Sequence, residues 1–188
     1  MKFYPSRLSG AFVIELETRS DDRGFFARTM CLDELAQQGV RLDFVQQNMS
    51  HSDKRGTLRG LHFQRPPAAE TKLIRCTTGA VLDVIVDLRR GSPTFLSHEM
   101  FELTASNGRQ VLVPEGFAHA FLTLEDHSEV SYLVSARYTP AAESGLRYDD
   151  PLLAIDWPIP VTEVSPKDRD WPLLDDQSDF GFRNAGNA

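Results

Sequence analysis

The chain has 188 residues, 41% of them hydrophobic and 25% charged, with a formal net charge of -7. That length fits a single domain able to bury roughly two-thirds of its unfolded surface. The acidic balance excludes a general nucleic-acid binder, which needs a basic face, and no apolar run approaches the roughly 18 residues of a membrane helix. The opening MKFYPSRLSG lacks the apolar stretch of a secretion signal. Cys31 and Cys76 match no metal or redox spacing. The expectation is a cytoplasmic protein with two reduced thiols, free of nucleic acid and membrane.

In chain order, AFVIELE (11–17) reads as the first strand, and CLDELAQQG (31–39) as a helix stopped by Gly39 at its C′ position. DFVQQNMS (43–50), TLRGLHF (57–63), KLIRCTT (72–78) and AVLDVIVDL (80–88) follow as strands. SHEMFEL (97–103), RQVLVP (109–114), HAFLTL (119–124) and EVSYLVSARY (129–138) continue the series. Each is short, rich in β-branched or aromatic residues, and bounded by Gly, Pro, Asn or Asp. Beyond Pro140 the chain turns irregular and proline-rich, and a loosely packed tail is expected from about Asp175. Many short strands at even spacing predict an all-β sandwich or barrel.

Strand alternation sorts the faces. In AVLDVIVDL, the fifth strand of the series, Leu82, Val84, Val86 and Leu88 share one side, and Val81, Asp83, Ile85 and Asp87 the other. Lys72, Ile74 and Cys76 share a face, as do Leu58, Gly60 and His62, and Tyr132, Val134, Ala136 and Tyr138. A barrel interior with apolar walls and a few ionisable groups is what a ligand cavity needs. Periodicity leaves open whether these groups converge or each lies on a solvated face.

VPEGFAHAF (113–121) sets Pro114, Gly116 and His119 in a P-x-G-x-x-H spacing, a tight turn followed by a histidine early on a strand. This resembles the second motif of the cupin jelly rolls, many of which pair that histidine with an H-x-H and a glutamate to hold a metal. Here His62 is followed by Phe63, Gln64 and Arg65, so the H-x-H is missing, and His51, His98 and His127 have no obvious ligand partners. No metal and no cofactor are expected. An imidazole oriented by a carboxylate suits proton transfer near neutral pH. Lys72 suits stabilisation of an oxyanion, and Tyr132 or Tyr138 offers an acid from the opposite side. Base, oxyanion holder and acid together describe inversion of a carbon next to a carbonyl.

The stretches DDRGFF (21–26), LRGLHF (58–63), VDLRRGSPTF (86–95), VPEGFAHAF, SYLVSARY (131–138) and VSPKDRDWP (164–172) are similar to the dTDP-4-dehydrorhamnose 3,5-epimerase family, over roughly residues 10 to 172. The resemblance implies a cupin-type jelly roll, all-β with a few short peripheral helices, acting as a metal-free homodimer. It implies epimerisation at C3 and C5 of dTDP-4-dehydro-6-deoxy-D-glucose, giving dTDP-4-dehydro-L-rhamnose for polysaccharide biosynthesis. His62 is then the base, Asp168 its orienting carboxylate, Lys72 the enolate holder and Tyr132 the acid. Substrate binding is implied for Arg23, Phe26, Gln47, Asn48, Met49, Arg59, His119, Tyr138, Glu143 and Lys167, with Asp83 supporting His119. Arg23 is expected to reach the partner's site, and Arg23 and Arg59 to meet the diphosphate.

Three positions depart from the family pattern. Arg28 stands where a glutamate is usual, Ala120 replaces a glycine beside His119 and is expected to crowd the pocket wall, and Tyr148 replaces a tryptophan. The alternatives are a mono-epimerase or a relative acting on another nucleotide sugar, a metal-dependent cupin oxygenase or isomerase, and a binding protein without catalysis. Bland roles also remain for Asp168 as a surface carboxylate beside Arg169, for Lys72 as a lysine snorkelling from a strand end, and for Tyr138 as core packing or a stacking platform.

Overall fold

The computed structural model describes residues 1–175 and 177–182. The chain opens with β1 (Lys2–Pro5), β2 (Phe12–Glu15), β3 (Arg19–Asp21) and β4 (Gly24–Phe26), then α1 (Leu32–Gln37). Next come β5 (Gln46–Ser52), β6 (Thr57–Gln64), β7 (Lys72–Thr78) and β8 (Ala80–Asp87). β9 (His98–Thr104), β10 (Gln110–Val113), β11 (Phe117–Thr123) and β12 (Ser128–Val134) complete the main strands. The last elements are short: β13 (Glu143–Gly145), β14 (Glu163–Val164) and α2 (Pro166–Arg169).

Two sheets dominate. One runs β1-β2-β10-β7-β12-β5, the other β13-β6-β11-β8-β9, with β14 joining β6 in parallel and β3-β4 forming a separate hairpin. All other pairings are antiparallel, as expected of a jelly roll. The core between the sheets joins Ile74, Val111, Val113 and Val130 of the first to Val81, Ile85, Leu103, Phe117 and Phe121 of the second. The other face of the second sheet is covered too, with Val84, Val86, Leu88, Ala118 and Ala120 packed against Leu146 and Leu153 from the late, irregular region. That double cover explains why VLDVIVD reads as almost continuously apolar. α1 lays Leu35 against Ile14, Leu73 and Leu112 on the outer face of the first sheet. It stops before Gly39, whose φ of +81° suits glycine.

The jelly roll and the helix expected over 31–39 are present. The elements that sequence periodicity missed are β1, the β3-β4 hairpin, β13, β14 and α2, all of two to four residues. The expected loose tail is corrected for residues 177–182. Phe180 and Phe182 are buried, with Phe180 edge-on to Phe63 at 5.6 Å between ring centroids. Burying each phenyl contributes about 2 kcal/mol, enough to hold a short segment. Backbone oxygens of Asp179 and Phe182 also accept hydrogen bonds from Arg65 and Arg90. The tail expectation for Asp176 and 183–188 lies outside the described residues. No helix among the described residues is long and apolar enough to cross a membrane.

The motif VDLRRGSPTF folds as a knot around Asp87. Its carboxylate is fully buried and accepts from the Arg89 backbone at 3.0 Å, the Arg89 guanidinium at 2.9 Å, Ser92 Oγ at 2.6 Å and Thr94 Oγ1 at 2.7 Å. Burial works to raise this carboxyl, but the bonds from Arg89, Ser92 and Thr94 outweigh it and hold it below the ordinary aspartate value. A depressed carboxyl stabilises the fold above its unfolded pKa, and that contribution is lost as pH falls through the folded value. Asp87→Ala strands the Arg89 cation, so equilibrium unfolding near neutral pH is expected to show a loss of about 3–5 kcal/mol. The deficit against wild type should narrow towards acid pH, and a uniform deficit across pH refutes the electrostatic account.

Candidate active site

A cavity of about 720 Å³ opens between the two sheets, walled by β5, β7 and β12 on one side and by β6, β11 and α2 on the other. His62 enters from β6, where alternation turns it to the interior while Leu61 and Phe63 pack into the outer apolar cluster. His62 Nε2 lies 2.6 Å from Asp168 Oδ1. Facing a carboxylate, Nε2 carries the proton, which leaves the Nδ1 lone pair as the basic position.

Asp168 comes from far along the sequence. β14 pairs with β6 and delivers the chain to Ser165, whose side chain caps α2 by accepting the Asp168 N–H at 3.1 Å. Proline at the first position of α2 suits that start. The Gly60 N–H donates to Asp168 Oδ2 at 3.3 Å. Burial works to raise the Asp168 carboxyl, but the hydrogen bond and charge of His62 lead the opposing effects and hold it below the usual aspartate range. Asp168 is therefore no surface carboxylate. Gly60 itself is sterically required, with φ at +126° and an added Cβ only 2.5 Å from the Ala120 Cβ.

His119 sits opposite His62 in the β11-β6 register, with Nε2 2.7 Å from Oδ2 of the fully buried Asp83. Adjacent strands thus carry two imidazole–carboxylate pairs. Lys72 and Tyr132 arrive from the other sheet, on β7 and β12. Lys72 is buried against the cavity, so it does not snorkel, and it is ion-paired to Glu70. The Tyr132 phenol is raised above an ordinary tyrosine, chiefly by burial and next by the Glu70 charge, while Arg59 and Ser50 oppose this.

At the rim, Tyr138 donates to Glu143 Oε2 at 2.9 Å, and Lys167 pairs with the other oxygen of that carboxylate. Tyr138 is 55% exposed, which rules out core packing. Among the described residues, Arg59 is the cavity-lining cation without a carboxylate partner. Its guanidinium meets Ser52 Oγ at 3.1 Å and the His51 carbonyl at 2.9 Å. An anionic ligand therefore finds its strongest unspent attraction at Arg59.

Of the residues singled out from sequence, the cavity gathers Asn48, Arg59, His62, Lys72, His119, Tyr132, Tyr138, Glu143, Lys167 and Asp168, with Asp83 behind His119. Gln47 and Met49 lie outside this cavity. Along β5 the alternation turns Gln46, Asn48 and Ser50 to the cavity, so Gln47 bonds to Ser131 Oγ instead and Met49 is 67% exposed. Gln46 and Ser50 could have been found by taking the strand's period of two from Asn48. Glu70 was also missed, two residues before Lys72 in the loop leaving β6.

Arg23 and Phe26 lie outside this cavity, on the exposed β3-β4 hairpin, where Arg23 bonds to Asp21. The departures from the family pattern also sit elsewhere. Arg28 pairs with Glu34 of α1 at 2.7 Å. Ala120 does not crowd the pocket, because β11 turns it outward against Gly60 while His119 faces in. Tyr148 borders a shallow surface groove with Trp157. His51 at the end of β5 and Asp53 and His127 in the adjoining turns, which have metal-ligand spacing, lie exposed and outside the cavity lining.

Comparison with known proteins agrees with this geometry. Residues 5–176 match the family model of dTDP-4-dehydrorhamnose 3,5-epimerase. The enzyme of that name from Methanothermobacter thermautotrophicus is 42% identical over 92% of this chain and 94% of its own length. A dTDP-4-dehydrorhamnose 3-epimerase from Streptomyces niveus is 40% identical over 97% of this chain and 88% of its own. The crystal structure of the Bacillus anthracis 3,5-epimerase with TDP and pyrophosphate bound superposes with a TM-score of 0.89, at 46% identity over 92% of this chain and 99% of that one. With family, fold and the paired imidazoles in agreement, the chain belongs to the dTDP-4-dehydrorhamnose 3,5-epimerase family of isomerases.

Proposed function

We propose that the protein inverts C3 and C5 of dTDP-4-dehydro-6-deoxy-D-glucose, yielding dTDP-4-dehydro-L-rhamnose. One observation carries this reading. A carboxylate-oriented imidazole on one sheet faces an ammonium and a phenol on the other, across a single cavity. The Nδ1 of His62 takes the proton from the carbon beside the 4-keto group. The Lys72 ammonium hydrogen-bonds the enolate oxygen as charge collects there, and Tyr132 returns a proton to the opposite face. Repetition at the second carbon completes the inversion. Each step moves protons alone, so no external redox group enters the balance.

Arg59 takes the diphosphate, His119 with Asp83 lines the sugar pocket, and Asn48, Tyr138, Glu143 and Lys167 complete the binding shell. The homodimer belongs to the same proposal. Phe25 and Phe26 are 68% and 70% exposed on the β3-β4 hairpin, and β5 is a sheet edge flanked by the exposed Met49. Unpaired edges and neighbouring exposed aromatics call for cover, and a second copy would bring Arg23 and Phe26 towards its partner's substrate. We place the enzyme in the cytoplasm, where the free Cys31 and Cys76 stay reduced.

Incubation with the dTDP-4-keto sugar in deuterium oxide, followed by NMR, tests the reaction. Deuterium at both C3 and C5 is expected. Deuterium at one carbon assigns a mono-epimerase, as the Streptomyces niveus relative is named. Deuterium at neither sinks the proposal.

A further inference from the structure

We propose that Glu70 is a positioning residue for this reaction, acting through Lys72 and Tyr132 rather than on the sugar. The inference rests on the roles proposed above for those two residues. Glu70 lies in the segment between β6 and β7 and lines the cavity. Its side chain is 12% exposed and that of its partner Lys72 9%, so the ion pair is largely withdrawn from water.

Glu70 is also held from behind. The Gln64 amide donates to Glu70 Oε2 at 3.2 Å and is itself anchored, accepting the Thr139 N–H at 2.6 Å and donating to the Ala68 carbonyl at 3.0 Å. A carboxylate so fixed gives the flexible lysine one resting place. The choice matters because Glu143, Glu163 and Asp168 line the same cavity and are competing partners for an ammonium. Pairing with Glu70 keeps Lys72 on the Tyr132 wall, opposite His62. It also leaves the pair neutral until the ketone becomes an enolate, whose oxygen then shares the ammonium.

Glu70 reaches the acid electrostatically. The charged and titratable groups lining the cavity with Tyr132 are Arg59 and His62 on β6, Glu70, Lys72 on β7, His119 on β11, Tyr138, Glu143 on β13, Glu163 on β14, and Lys167 and Asp168 on α2, with the Ser50 hydroxyl on β5. After burial, the charge of Glu70 is the main influence raising the phenol, and Arg59 works against it. A tyrosine acting as an acid works while protonated, so activity falls as pH rises through its pKa. Removing the Glu70 charge lowers that pKa and brings the alkaline limb to lower pH.

The test compares wild type, Glu70→Gln and Glu70→Ala, each with and without Tyr132→Phe, using steady-state rates from neutral to alkaline pH and phenolate absorbance. Glu70→Gln keeps an acceptor for Lys72 and loses the charge, whereas Glu70→Ala loses both. At neutral pH kcat is expected to fall about threefold in the first and about tenfold in the second, with KM within about twofold of wild type. In both, the alkaline limb and the phenolate transition that Tyr132→Phe abolishes move to lower pH. If the Glu70→Gln limb and transition overlie wild type, the inference is wrong. Phenolate absorbance reports on Tyr132 even in a variant too slow to assay. Failure of the underlying reading looks different, because wild type would then lack deuterium exchange or Tyr132→Phe would turn over normally.

Discussion

Replacing His62 with alanine is expected to abolish hydrogen exchange at both C3 and C5 and to lower kcat by about 10³-fold or more, because one imidazole serves both deprotonations. Binding of dTDP should stay within a few-fold of wild type, since Arg59 keeps its contacts with Ser52 and the His51 carbonyl. Asp168→Asn separates orientation from basicity. An amide turned towards Nε2 can present its N–H₂, which favours the tautomer with the proton on Nδ1, where it blocks the base. The loss there is expected to be about 10²-fold with the fold intact. Deuterium exchange followed by NMR, beside equilibrium binding of dTDP, checks both variants. Persistent exchange at either carbon in His62→Ala means that another group takes that proton, and His119 is the next candidate because Asp83 orients it in the same way.

Tyr132→Phe divides the reaction differently. Proton removal needs His62 and Lys72, both retained, so exchange from the His62 face continues while inversion is lost. Epimerised product should form about 10²-fold more slowly or not at all, with solvent deuterium still entering the substrate in its original configuration. Product analysis by NMR distinguishes the two outcomes. Wild-type inversion in this variant would refute the acid assignment and move it to Tyr138. The geometry disfavours that residue, because Tyr138 is largely exposed at the rim and its phenol is committed to Glu143.

Much of this architecture was readable from residue patterns. The alternation in AVLDVIVDL correctly separated Val81, Asp83 and Ile85 from Val84 and Val86, because a strand's period of two survives in any sheet. The base, its carboxylate, the lysine and the tyrosine came from motif resemblance, and the structure brings all four to one cavity. Register was harder. In QQNMS the neighbouring Gln46 and Gln47 are chemically identical, and their faces are decided by pairing with β12. β13, β14 and α2 have two to four residues and exist because β6 offers them pairing partners and Ser165 a cap, information that no local window contains. Phe180 and Phe182 looked like part of a polar tail because the cluster that receives them lies more than 100 residues away in the chain, at Phe63.

His62 and Asp168 are separated by 106 positions, and the carboxylate arrives on one of the last elements to dock. A nascent or clipped chain ending short of α2 could thus display a barrel and an empty pocket with its imidazole unsteered. Competence for chemistry therefore depends on the docking of a segment that lies outside the main strands.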